Sequence, residues 1–328
     1  MSHSQSSRRQ LAEPALPMAC YEVTFEAQES LILPRCSGSF WRSVLGNELH
    51  ALSSGKGPSP MDCGSIPRAE LYRYMFETPP PADASKMRNY PNAPHPFVIT
   101  ADWRQEPTSI ASGTTFGFQF TLLGRGSDAL PAFVAAFKNA GESGAGGMGG
   151  LARLVNVERA QLAISDTADG VVAPPSPGRV TVHLESPLQL LVQIPNAAVG
   201  ASEKNGGTRR AVLMPREFKA HHLFSSLVRR VSMLMTFHTD TDLDNSLFVQ
   251  LKSFGQAVAI EASRLEFSKD ARWSARQSTD INLSGLVGEF TLELQECPML
   301  WPYLWLGQWV HAGKHASEGL GAYRVGPA

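Results

Sequence analysis

Leu300-Trp-Pro-Tyr-Leu-Trp-Leu-Gly-Gln-Trp-Val310, followed by His311-Ala-Gly-Lys-His-Ala-Ser-Glu-Gly-Leu-Gly-Ala-Tyr-Arg-Val325, closes the chain. On a helical wheel its apolar residues Leu300, Trp301, Leu304, Trp305, Leu306, Trp309 and Val310 cover nearly the whole circumference, which predicts a short helix packed on several sides. At Gly313 the pattern changes to a glycine-rich loop carrying Lys314 and His315, and Ala322-Tyr323-Arg324-Val325 then reads as a terminal strand. Two readings fit the loop: a tight helix-to-strand turn that needs glycine for its geometry, or a backbone cradle for a phosphate.

Working back from that unit, the chain shows the same order of elements twice. In the first half, Cys20 to Leu33 reads as a strand ended by Pro34. A helix follows, capped by Ser37 and Ser39, with Phe40, Trp41, Val44, Leu45, Leu49 and Leu52 on one face. Residues 53–67 form a loop carrying Lys56, Leu71 to Glu77 reads as a strand, and a Pro-rich excursion over 79–96 leads to Phe97-Val98-Ile99. Thr114 to Leu123 is a strand, Ala129 to Lys138 a helix, 141–150 a glycine-rich loop and Leu151 to Ile164 a strand. In the second half, Val180 to Val192 is a strand. After a polar loop comes a long helix opened by Pro215, with Leu223, Phe224, Leu227, Val228, Val231, Leu234 and Met235 as its stripe. Ala262 to Phe267 and Ser284 to Leu294 are the next strands. The halves echo in residues too: Gly117-Phe118-Gln119-Phe120-Thr121-Leu122 is similar to Gly288-Glu289-Phe290-Thr291-Leu292. A repeated β-α-β-β-α-β order predicts an α+β protein of two tandem ferredoxin-like, RRM-type units. The expected organisation is a disordered tail over 1–17, a first unit over 18–165, a Pro-rich linker over 166–179 and a second unit over 180–328.

Composition narrows the chemistry. The net charge is −1, so the chain as a whole attracts neither nucleic acid nor an acidic membrane, and any polyanion site must be a local patch. One such patch exists between Lys204 and Arg230, where Lys204, Arg209, Arg210, Arg216, Lys219, Arg229 and Arg230 face a single acid, Glu217. Cys20, Cys36, Cys63 and Cys297 are scattered without the paired spacing of a zinc site, and no apolar run reaches membrane-spanning length. A reduced, cytoplasmic protein with no metal and no cofactor is expected.

Several motifs together resemble one family. Val310-His311-Ala312-Gly313-Lys314-His315 running into Glu318-Gly319-Leu320-Gly321-Ala322-Tyr323-Arg324-Val325 is similar to the glycine-rich loop and closing strand of the CRISPR-associated RAMP superfamily. Gly38-Ser39-Phe40-Trp41-Arg42-Ser43-Val44-Leu45-Gly46 followed by Leu49-His50 resembles the first-helix signature of its precursor-CRISPR-RNA-processing endoribonucleases. Tyr74 to Pro79 and Phe218 to Val231 resemble it as well. This resemblance implies two facing RAMP domains that bind repeat RNA or the mature crRNA. It also implies a metal-independent cut in which the ribose 2′-OH attacks the adjacent phosphorus, leaving a 2′,3′-cyclic phosphate and a 5′-OH. Other Cas subunits and a second copy of the chain are the further partners it suggests.

That reaction needs a base, an acid and a cation, and histidine suits the first two because its ordinary pKa is about 6.5. His50, at the end of the first helix on the polar face with Ser39, Ser43 and Asn47, is the expected catalytic residue, with Lys56 as the nearby cation; a solvated histidine and lysine are the plainer alternatives. His311 and His315 form a rival site. RNA binding is assigned to Arg42, Arg229, Arg230, Gly313, Lys314, His315, Gly319, Gly321 and Arg324. The three tryptophans of the last helix are expected in the core, and the competing function is a non-catalytic RAMP subunit that holds guide RNA.

Overall fold

A computed structural model describes residues 14–55, 63–80, 93–104, 106–144, 149–161, 165–167, 170–195, 208–241, 245–274 and 279–328. In the first half, strands β1 (Met18–Ala27) and β2 (Leu31–Leu33) lead into helix α1 (Ser37–Ser53). After it come β3 (Phe97–Thr100), β4 (Thr108–Ile110), β5 (Thr115–Leu123), helix α2 (Leu130–Glu142) and β6 (Ala152–Arg159). A short hairpin, β7 (Ser165–Thr167) and β8 (Gly170–Val172), then joins the halves. The second half begins with β9 (Arg179–Leu188), β10 (Leu191–Pro195) and β11 (Thr208–Val212), followed by helices α3 (Ala220–His238) and α4 (Asn245–Ala257). Strands β12 (Ala259–Ser268), β13 (Ala271–Ser274), β14 (Thr279–Asn282) and β15 (Gly285–Glu293), helix α5 (Trp301–Val310) and β16 (Tyr323–Pro327) complete it.

Two four-stranded antiparallel sheets result, in the orders β3-β5-β1-β6 and β12-β15-β9-β16. Each places the first and third strands of its unit at the centre and the second and fourth at the edges, the ferredoxin-like arrangement expected from the repeat. The glycine echo has a physical reason. A Cβ on Gly117 would lie 2.1 Å from the Val23 carbonyl oxygen, and one on Gly288 2.1 Å from that of Arg264, so each central third strand approaches its neighbour where only glycine fits.

Each sheet buries one face under its two principal helices. In the first unit Trp41 of α1 stacks on Phe25 and Phe118, while Phe133 and Phe137 of α2 pack on Phe97, Phe118 and Phe120. In the second, the whole predicted stripe of α3 is buried against the sheet and α5. Helix α5 is enclosed almost all round, with Trp301 and Trp305 in the core and Trp309 half-buried. Gly307 makes that possible: the Tyr323 hydroxyl reaches past it to donate to the Leu304 carbonyl at 2.6 Å.

Several expectations are corrected. Leu71 to Glu77 is helical, with a π-helical turn at Arg73–Glu77. Leu71 and Met75 are fully buried and Tyr72 stacks on Phe76 at 5.4 Å, an i, i+4 spacing that helices and not strands bring together. Neither Ser37 nor Ser39 caps α1. Cys36 holds that position, while the Ser37 hydroxyl donates to the Asp102 carbonyl and Ser39 to Glu318. Pro215 opens a separate 3-10 turn ahead of α3. The strand expected over 180–192 breaks at Gln189, whose amide donates to the Asn282 and Ser284 carbonyls and whose own carbonyl accepts from Lys314. The Pro-rich linker contains the β7–β8 hairpin, and Leu16, assigned to the disordered tail, is fully buried and bridged to Val171. Residues 1–13 lie outside the described residues. No described helix is long and apolar enough to cross a membrane.

Gly321 has φ +67°, and a Cβ there would sit 1.9 Å from the Ala312 carbonyl oxygen. Gly113, also left-handed at φ +80°, has nothing within 4 Å. Gly321→Ala is expected to lower unfolding free energy by roughly 3 kcal/mol, strain and overpacking together, against about 1 kcal/mol for Gly113→Ala; urea titration of both variants measures the difference.

Candidate functional site

The glycine-rich loop does not lie open. It runs from the end of α5 into a short 3-10 turn, Ala316–Glu318, packed on the first turn of α1 and on β3. Gly38 is pressed so closely against the loop that a Cβ would lie 2.4 Å from the Glu318 carbonyl oxygen. The Glu318 carboxylate accepts from the Ser39 hydroxyl at 2.8 Å and pairs with His315 Nδ1 at 3.0 Å, and both side chains are about nine-tenths enclosed. Gly319 and Gly321 are buried, the latter against Ala312. In this part of the loop the glycines serve close packing: His315, Gly319 and Gly321 lie at the junction of the two units, and Gly313 and Lys314 line a cleft on one side of it.

Histidines continue this polar seam. His238, at the end of α3, donates from Nε2 to the Pro94 carbonyl at 2.7 Å, so its Nδ1 accepts from the Tyr74 hydroxyl at 3.0 Å. His95 Nε2 accepts from Arg42 at 3.0 Å, which leaves Nδ1–H to donate to the Thr78 hydroxyl at 2.9 Å. His311 is fully buried, with φ +57° and Nε2 3.0 Å from the Thr100 hydroxyl. Burial disfavours the charged imidazolium in all three, pulling His95 and His311 down to about 3 and His238 to about 4. His311 is thus a neutral core histidine. Arg42, assigned to RNA, is half-buried: it donates to His95 and lies over the Phe76 ring at 5.1 Å. Asp270 and Arg35 add an ion pair of 2.6 Å across the same junction.

The cations converge elsewhere. A cleft of about 650 Å³ lies between the β10–β11 ribbon, α3, α4 and the start of the glycine-rich loop. Arg210, Arg229, Arg230, Lys252 and Lys314 line it together with Ser225 and Ser226, and no carboxylate is among its described lining. Three of these cations come from the basic patch and Lys314 from the glycine-rich loop; Lys252 belongs to neither. Arg230 is anchored by its Nε, which donates to the Val310 carbonyl, and burial lowers its pKa to about 10, still charged at neutral pH. Lys204 and Lys56 lie outside the described residues. Arg324 sits apart, in a second cleft between the two sheets, paired with Glu185 at 3.3 Å.

His50 is exposed near the C-terminal end of α1, as expected, with its ring edge-on to Tyr72 at 5.1 Å. Tyr72 was missed because the strand assignment hid it. Twelve residues of helix separate His50 from Gly38 at the loop contact, about 18 Å. His50 is not among the described lining of the cleft that Lys314 enters.

The buried histidines predict an acid sensitivity. Their folded pKa values lie below the unfolded value of about 6.5, so the unfolded chain binds protons that the native seam refuses, and stability falls as pH drops below that value. Urea midpoints should be lower at pH 5 than at pH 7, and His238→Asn should flatten the dependence; equal midpoints would show that the seam does not resist protonation.

Two family models match the chain. Residues 16–177 match AF_1859_N, described as an N-terminal domain, and residues 182–323 match the CRISPR-associated endoribonuclease Cas6. No curated protein matches in sequence. Among solved structures, the chain is similar to a Cas6 (TTHB231) product complex, with a TM-score of 0.58 and 15% identity over 94% of this chain and 99% of that one. Thermus thermophilus Cas6 (TTHB231) matches at a TM-score of 0.50, with 16% identity over 95% and 99% of the two chains. A RAMP protein described as binding different RNA substrates matches at 0.52, with 12% identity over 94% and 100%. At these identities the structures speak for the fold, two tandem ferredoxin-like units, while the CRISPR-associated endoribonuclease Cas6 model matches the second unit, residues 182–323, in agreement with the motifs in both halves.

Proposed function

We propose that this protein is an endoribonuclease that binds precursor CRISPR RNA at its repeats and cuts it without a metal. The observation that carries the RNA reading is the cleft in which Arg210, Arg229, Arg230, Lys252 and Lys314 come together from four places in the chain. A net charge of −1 spread evenly would attract no polyanion; this concentration does, by contact with phosphates and release of their counterions. The Cas6 family match supports RNA processing as the purpose.

In the cut, the 2′-OH loses its proton, its oxygen bonds to the adjacent phosphorus, and the 5′-oxygen leaves with a proton. The products are a 2′,3′-cyclic phosphate and a 5′-OH. His50, exposed at its helix end, carries one of these proton transfers, and the edge-on packing of the Tyr72 ring against it supports a role for Tyr72 in orienting the imidazole. Lys56, a few residues past the helix, supplies the cation for the phosphorane. That His50 is not among the described lining of the basic cleft favours a second reading, a RAMP subunit that holds RNA without cutting it.

Incubation with the cognate repeat RNA in EDTA separates the two. Cleavage at one position with 2′,3′-cyclic phosphate ends, lost in His50→Ala, is the expected result; tight binding with no cut would leave the binding subunit. The cleft is tested by salt dependence: Arg229→Ala with Lys314→Ala should reduce the slope of log K against log salt by roughly 1.4, about 0.7 for each single-strand phosphate contact.

A further inference from the structure

A second cavity, of about 520 Å³, opens at the junction of the two units beside the basic cleft, and none of the roles above uses it. Its volume falls within the range of small-ligand sites. The two cavities are neighbours by construction. Pro94 lines the cleft and the preceding Ala93 lines the cavity. On α3, Met233 faces the cleft and Phe237 the cavity, one helical turn or about 6 Å further on. The His238–Pro94 hydrogen bond forms the partition between them.

The walls have a definite character. Ile66, Pro79, Pro80 and Phe237 offer flat or apolar surfaces from both units. Arg125 stands at the rim, exposed, with one nitrogen donating to the Phe237 carbonyl at 3.2 Å, where it also complements the C-terminal end of α3. A further N–H bonds the Tyr74 hydroxyl, and the others are donors with no capacity to accept. Tyr74 is fixed by His238 and by the Arg125 charge beside it. Ser65, Thr78 and the Glu70–Arg73 pair complete the lining. Apolar surfaces beside an arginine fork fit a nucleobase that presents two adjacent acceptors.

Resting on the RNA reading above, we propose that this cavity takes one nucleotide extruded from an RNA lying in the basic cleft, and that it prefers guanine, whose O6 and N7 match the Arg125 fork. The cleft then grips backbone without regard to sequence, and the cavity reads one base.

The test uses the full chain and the four nucleoside 5′-monophosphates, followed by calorimetry. GMP should bind saturably and about tenfold more tightly than AMP, the discrimination expected of a bidentate arginine contact. Ile66→Trp, which fills the cavity, and Arg125→Ala, at an exposed position, should each abolish that preference, whereas Arg229→Ala in the cleft should leave it intact. Thermal melts identify any variant that fails to fold, and the exposed Arg125→Ala carries the test if Ile66→Trp does. Absence of GMP binding at millimolar concentration, or a preference that survives both cavity variants, overturns the proposal. Repeat RNA with 7-deazaguanosine at each guanosine in turn, which removes N7 and keeps the rest of the base, supplies the second arm: one position should weaken binding, and that penalty should disappear in Arg125→Ala. RNA that binds with no responsive position also overturns it, while GMP binding by a protein that ignores repeat RNA would uphold the cavity and overturn the RNA reading.

Discussion

The structure depends on a buried polar seam between its two ferredoxin-like units. Glu318 joins Ser39 to His315, His238 joins Tyr74 to Pro94, and Thr100 meets His311. Each of these groups lost water on folding, and an unmade partner in such a place costs about 1–3 kcal/mol, so the contacts tolerate little sliding. Apolar contact alone would hold the units together without specifying their angle. Directional bonds specify it, and with it the shape of both cavities along α3.

The seam also redistributes the roles of the family motifs. The glycine-rich loop, which in sequence looks like a phosphate cradle, spends most of its glycines on close approach to β3, α1 and its own helix end. What it contributes to the basic cleft is its first part, Gly313 and Lys314, held by bonds from Gly313 to Ser226 and from Lys314 to Gln189. Lys314 is positioned because the remainder of the loop is immobilised by packing.

Much of the fold was legible because it rests on short-range pattern. The stripe of α3, the all-round apolar α5 and the doubled order of elements each predict their structure from spacing alone. The errors came where pattern was weak or ambiguous. Leu71 to Glu77 is rich in β-formers, yet its Leu71–Met75 and Tyr72–Phe76 pairs follow helical spacing, and noticing that would have revealed Tyr72 beside His50. The β10–β11 ribbon has exposed arginines and no apolar alternation, so it looked like a polar loop. His95 and His238 carry no local signal; their importance arises from partners as distant in sequence as Tyr74 is from His238. Lys252 likewise enters the cleft only through the docking of α4 on α3.

The central claim is that RNA follows the basic cleft along α3. Photo-crosslinking of repeat RNA carrying 4-thiouridine, with the attached peptides identified by mass spectrometry, tests it most directly. The account predicts adducts on the β11, α3 and α4 peptides and on the segment around Lys314. Adducts confined to the exposed edge strands β6 and β12, with none along α3, would contradict it.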